Sequence, residues 1–198
     1  MRPGGGDWVG YYDEQGDREP REQLVQALDA FEAEGRRGLA VDIGCGQGFD
    51  SEELLRRGWE VVAIDATEEG IRRLRRRIPD DLADRLTTVV SPMEDAELPE
   101  ADLVYASFSL PYCPPDRFPG FWDRIRSAIR PDGRFAGQLF GDRDTWASTE
   151  SHMTFLDVAG ARTLFDGLDV ESFVEEEEDD EEMPKHWHVF HVIARRPG

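Results

Sequence analysis

Residues 40–48 read Ala-Val-Asp-Ile-Gly-Cys-Gly-Gln-Gly, and a second apolar run over 60–65, Glu-Val-Val-Ala-Ile-Asp, ends in an acid. The first stretch predicts a buried strand, Leu39–Ile43, that runs into a glycine turn and then a helix. A backbone without Cβ atoms can lie flat against a ligand at such a turn, and glycine takes the tight bend without strain. Asp65 closes the following strand about 20 residues on, where a carboxylate can accept hydrogen bonds from two ribose hydroxyls. Together they predict a nucleoside site built on Gly44, Gly46, Asp65 and the adjacent Ala66.

Spacing decides which nucleoside. The dinucleotide fingerprint G-x-G-x-x-G places pyrophosphate on a helix N-terminus. Here the third glycine comes one residue early, at Gly48, and Phe49 stands where the dinucleotide glycine would be. Asp42 is also read as lying inside the turn. Its carboxylate would repel a pyrophosphate and suit the ammonium end of S-adenosylmethionine. The pattern Asp42-x-Gly44-x-Gly46-x-Gly48 resembles motif I of the class I S-adenosylmethionine-dependent methyltransferases. An NAD-type oxidoreductase is the disfavoured alternative, on the grounds of Phe49 and Asp42.

Strand and helix patterns alternate outward from this motif. Glu22–Glu34 carries Leu24, Val25, Leu28 and Phe31 at helical spacing, and Phe49–Arg57 is a helix ended by Gly58. Thr67 caps a helix that turns Ile71, Leu74 and Ile78 inward. Leu86–Val90 and Ala101–Ser107 read as strands. Pro115–Ile129 reads as mainly helix, Pro131-Asp132-Gly133 as a turn, Arg134–Phe140 as a strand and Thr154–Phe165 as a helix. Val170–Glu175 and His188–Arg195 are the last two strands, with no helix between them, so a hairpin joins them and one runs antiparallel. The expected fold is α/β and Rossmann-like: a mostly parallel seven-stranded sheet with one antiparallel strand and helices on both faces. The resemblance to the methyltransferases implies the same sheet. Residues 1–198 form one methyltransferase domain in this reading, with 1–20 as an arm or lid and 175–185 as an acidic hairpin loop.

The chain has 198 residues, 33% of them charged, and a formal net charge of −20. Such a surface disfavours nucleic acid, whose binding relies on Lys and Arg neutralising phosphate, and it disfavours anionic lipid. No apolar run approaches the ~20 residues that span a bilayer, and the N-terminus lacks an apolar signal region. The two cysteines, Cys45 and Cys113, fit a reduced, cytoplasmic setting. Lys185 is the only lysine, so nearly all positive charge is Arg.

Three loops follow strand ends. Ser91-Pro92-Met93-Glu94-Asp95 is implied by the resemblance to hold adenine. Met93 suits the apolar role against the ring, and Glu94 and Asp95 both remain open as the acid near the exocyclic amine. Ser107-Phe108-Ser109-Leu110-Pro111-Tyr112-Cys113 occupies the position that the superfamily places beside the transferring methyl group. Phe108 can pack near the sulfonium, where a cation over an aromatic face gains roughly 0.5–2 kcal/mol, or serve as core. Tyr112 is the candidate to orient an acceptor. With Leu139–Trp146 and the final Lys185–His191, these stretches are similar to the tellurite-resistance-type methyltransferases over about residues 8–196.

In the arm, Arg18 can pair with the ligand's carboxylate through a bidentate fork, or be solvated. His186, His188 and Phe190 share one face of the last strand, and no histidine pair has a metal spacing, so no metal is expected. His186 is the best candidate base if the reaction needs one. The acidic run Glu175–Glu182 is expected to be a mobile, solvated loop, and the arginines at 72, 73 and 75–77 the wet face of a helix. The expected function is methyl transfer from S-adenosylmethionine to a small-molecule O, N or S acceptor. A non-catalytic S-adenosylmethionine-binding or acidic interaction protein is the second reading.

Overall fold

The computed structural model describes residues 8–180 and 184–198. The first seven residues of the expected arm, and Glu181 and Glu182 of the acidic run, lie outside the described residues.

The strands are β1 (Leu39–Ile43), β2 (Glu60–Asp65), β3 (Leu86–Val90), β4 (Ala101–Ala106), β5 (Ile129–Gly141), β6 (Phe155–Leu156), β7 (Asp169–Asp179) and β8 (His186–Arg195). They form one sheet in the order β3-β2-β1-β4-β5-β8-β7, with β6 beside the end of β5. β1 to β5 run parallel, and β8 is antiparallel to both β5 and β7. This is the expected sheet plus one two-residue strand.

The helices are α1 (Trp8–Gln15), α2 (Glu22–Ala33), α3 (Phe49–Arg56), α4 (Glu68–Arg77), α5 (Phe118–Ala128) and α6 (Val158–Thr163). Period-two alternation divides the strands between two cores. Val41, Ile43, Val104, Phe135 and Val192 face α5 and α6, where Phe121, Trp122 and Phe165 fill the layer. Ala40, Val61, Ala63, Leu103 and Ala136 face α2, α3 and α4, with Leu28, Phe31, Leu54 and Leu74. The C-terminal ends of β1, β2 and β4 therefore open on one edge.

Three expectations change. The predicted turn at 131–133 lies inside β5 as an irregularity: Ala101 pairs with Ile129, and Leu103 with Arg134, so four residues bulge opposite one. Asp132 takes φ 61° there. The expected helix 154–165 shortens to α6. Thr154 spends its N–H on Pro111 O and its hydroxyl on Cys113 O, and Asp157 caps Gly160, so the helix starts only after it. The acidic run is strand through Asp179, not loop. Its charges have partners on β8 and beside it: His186 sits 2.7 Å from Asp179 and 3.0 Å from Glu177, and His191 lies 2.8 Å from Glu176. Arg143 pairs with Glu175 and Glu177. Among the described residues, no helix is long and apolar enough to cross a membrane.

Arg134 is 2% exposed and joins layers that sequence alone does not connect. It donates to Glu34 at the end of α2 and to Glu171 on β7, and its guanidinium lies 4.5 Å from the Phe31 ring centroid. Replacing Arg134 by Ala is expected to destabilise the fold by about 3 kcal/mol, because it strips the partner from two half-covered carboxylates. Urea unfolding measures this. The hydrogen bond from Arg134 holds the Glu34 carboxyl below the ordinary carboxylate range. That contribution is therefore complete above the unfolded Glu pKa and is lost as pH falls through the depressed folded value. The acid-side slope of stability should flatten in Arg134→Ala, and an unchanged slope would refute this pairing.

Candidate functional site

The turn after β1 is held from both sides. The amides of Gly44 and Cys45 donate to Ile64 O on β2, at 2.8 and 3.0 Å. Gly44 has φ 72°, and a Cβ there would sit 2.3 Å from Ser109 Cβ. The loop after β4 thus closes directly on it. Gly46 has φ 51°, and its Cβ would press on the Tyr12 ring at 3.3 Å. Both glycines are demanded first by the protein's own neighbours.

Asp65 stands at the centre. Its Oδ2 accepts from Gly46 N at 2.9 Å, and its Oδ1 accepts from Thr67 N at 2.8 Å and Thr67 Oγ1 at 2.7 Å. Thr67 in turn caps α4 by accepting from Gly70 N. The Tyr12 hydroxyl hangs 3.4 Å from both carboxylate oxygens. Burial and the Asp65 charge push the Tyr12 phenol up, so it stays protonated and donates.

A cavity of about 270 Å³ opens above this turn. Of the residues read from the sequence, Arg18, Gly44, Gly46, Asp65, Ala66, Met93, Glu94, Ser107, Phe108 and Tyr112 line it. All but Arg18, which lies between α1 and α2, sit on four loops that meet because parallel strands all end on the same edge. Of the two acids left open after β3, Glu94 reaches the cavity, whereas Asp95 is exposed and pairs with Arg117 at 2.6 Å.

Two residues expected at the site are elsewhere. Asp42 points from β1 to the α3 side, below the turn, where it is 2% exposed and accepts from Ser51 Oγ at 2.5 Å. Burial and the charge of Asp50 push its carboxyl up to about 7, so it is not a permanent anion facing the cavity. His186 does not line the cavity. Its ring is bonded to Asp179 and Glu177, and those bonds raise its pKa.

Arg18 lines the cavity, but its fork already grips Asp50, with Nη1–Oδ1 3.0 Å and Nη2–Oδ2 2.8 Å. The same carboxylate accepts from Arg21 N and from the Tyr105 hydroxyl. Phe108 occupies the left-handed region at φ 51°, and its N–H donates to the buried Gln138 Oε1 at 3.2 Å. The Arg21 guanidinium lies 4.9 Å from its ring centroid.

The described part of the expected arm roofs the cavity as a helix: Trp8, Tyr11, Tyr12 and Gln15 of α1 line it, as do Arg21 and Gln47, side chains that the sequence reading did not assign to the site. Trp8 packs edge-on to Tyr112, with centroids 4.8 Å apart. The arginines of α4 pin this roof down: Arg73 pairs with Asp13 at 2.5 Å, and Arg77 with Asp17 at 2.9 Å. Arg73 and Arg77 are thus clasps, whereas Arg72, Arg75 and Arg76 are exposed, as expected of a wet face. The aromatic density of residues 8–12 was the available signal.

One group outside the cavity has metal-ligand chemistry among the described residues: Glu175, Glu177 and His188. Arg143 fills its centre, donating to both carboxylates and lying 3.1 Å from His188 Nε2. A guanidinium there neutralises the cluster.

Comparison with known proteins agrees with this geometry. The family model described as "Methyltransferase domain" matches residues 40–133. A magnesium-protoporphyrin O-methyltransferase of Rhodobacter capsulatus is 39% identical over 72 residues, 36% of this chain and 32% of that protein. The chain spans about a third of the length of the curated relatives it matches. Among solved structures, TehB of Haemophilus influenzae superposes with a TM-score of 0.77 at 16% identity, covering 96% of this chain and 65% of that one. Magnesium protoporphyrin IX methyltransferase of Synechocystis PCC 6803, with bound SAM, gives 0.69 at 15% identity, covering 96% and 92%. The match to a methyltransferase domain thus covers just under half of the chain, and the solved structures share its fold.

Proposed function

We propose that this chain transfers a methyl group from S-adenosylmethionine to a small-molecule O, N or S acceptor. The observation that carries the reading is the convergence of the glycine turn, Asp65, Met93, Glu94, Phe108 and Tyr112 on one cavity. The residues fit the cofactor. Asp65 presents a carboxylate at the ribose end, Met93 an apolar face for adenine with Glu94 beside it, and the turn a backbone that a nucleoside can approach closely.

When bound, the cofactor supplies a sulfonium already activated by its charge. The protein's own part is alignment and exclusion of water, and positioning of this kind contributes roughly 7–11 kcal/mol. Phe108 offers a ring to the sulfonium end, and the Gln138 bond locks its backbone. Tyr112, backed by Trp8, orients the acceptor. The net charge of −20 disfavours a polyanionic acceptor. Arg18, committed to Asp50, would hold the arm in place and reach a ligand carboxylate only by sharing.

Calorimetry with S-adenosylhomocysteine and with NADH tests the cofactor. Binding of S-adenosylhomocysteine is expected, and binding of NADH alone would overturn the reading. Asp65→Ala should weaken S-adenosylhomocysteine by ~1–3 kcal/mol, the loss of a charged hydrogen bond. An unchanged affinity removes Asp65 from the site. Gly46→Val should abolish binding at a stability cost of about 1–3 kcal/mol, since a branched side chain must take φ near 51° against Tyr12. Wild-type affinity in that variant would mean the turn does not meet the ligand. Labelled S-adenosylmethionine offered with thiol, amine and phenol acceptors identifies the accepting atom.

A further inference from the structure

A carboxylate has about four lone-pair positions. In Asp65, three are filled at short distance by Gly46 N, Thr67 N and Thr67 Oγ1. These donors are structural: they close the glycine turn and start α4. One position on Oδ2 is left, and a ribose carries two hydroxyls that need acceptors. Asp65 alone cannot take both at full strength.

A second acceptor is the Tyr12 hydroxyl, since Thr67 Oγ1 already accepts from Gly70 N. It sits 3.4 Å from each Asp65 oxygen and 3.4 Å from Thr67 Oγ1, long contacts that a ligand can shorten or split. A phenol donates one hydrogen and also accepts. Tyr12 is 5% exposed, lines the same cavity and is aimed inward by its surroundings. Gln47 Nε2 donates to Tyr12 O at 3.0 Å, the Arg73 guanidinium lies 5.6 Å from its ring centroid, and the Arg73–Asp13 pair, with Arg77–Asp17 just past the helix end, holds α1 against α4.

We propose that Tyr12 is a cofactor-binding residue that completes the ribose site. One ribose hydroxyl donates to the open lone pair of Asp65, and the other donates to the Tyr12 oxygen, whose own hydrogen turns to the second lone pair of Thr67 Oγ1. Ribose recognition is thereby tied to closure of α1. The inference rests on the cofactor reading above and adds a residue to it.

The test is calorimetry of wild type and Tyr12→Phe with S-adenosylhomocysteine and with its 2′-deoxy and 3′-deoxy analogues. The variant keeps the ring that packs on Gly46, and thermal unfolding of the unliganded proteins checks that it folds alike. Tyr12→Phe should bind S-adenosylhomocysteine about tenfold more weakly, one lost hydrogen bond. One of the two deoxy analogues, the one lacking the hydroxyl that Tyr12 holds, should bind wild type and variant within twofold. Amide exchange of residues 8–15 should slow when S-adenosylhomocysteine binds wild type, and slow less in the variant. An unchanged or tighter affinity in Tyr12→Phe overturns the proposal, as does an equal loss for all three ligands, which marks a packing role only. If wild type itself fails to bind S-adenosylhomocysteine, the cofactor reading falls as well; wild-type binding without the Tyr12 effect removes this inference alone.

Discussion

The Asp65 carboxylate is the joint on which the site is assembled. It ties the end of β2 to the glycine turn through Gly46 N, to the first turn of α4 through Thr67, and to α1 through Tyr12. Three elements distant in sequence are thus referred to two oxygen atoms. A buried anion needs donors, and here the backbone supplies two of them. These bonds set the shape of the cavity from within the protein.

A second buried carboxylate anchors the roof. Asp50 takes the Arg18 fork, the Arg21 amide and the Tyr105 hydroxyl, so the chain between α1 and α2 is fastened to α3 and β4. Its neighbour Asp42 cannot stay charged as easily beside it. Burial and like charge push that carboxyl toward neutrality, and Ser51 supplies its one short hydrogen bond. The two acids sit close together yet divide their work: one holds the arm, the other packs beneath the turn.

The outer charges follow the same economy of pairing. The α4 arginines meet Asp13, Asp17 and Glu69, and the β7 carboxylates meet Arg143 and the β8 histidines. Exposed pairs of this kind contribute little each in stability. Their effect is positional: they decide where α1 lies and let five consecutive acids form an edge strand, a row of charge that also discourages another chain from adding to the sheet.

Much was legible in the primary structure because it is local. The run Leu39–Ile43, the turn that follows and the acid closing β2 depend on alternation, on backbone freedom and on chain distance, which the residue order carries directly. The loops after β3 and β4 were placed by the rule that parallel strands end on one edge. What only the tertiary structure decided concerns direction and partners. Asp42 faces Ser51 because of its parity on β1. His186 meets Asp179 and Glu177 because of the register in which β7 pairs with β8. Tyr12 reaches Asp65 across 53 positions of chain. Residue order states which groups exist and how often they recur; which donor meets which acceptor is settled only when separate layers pack.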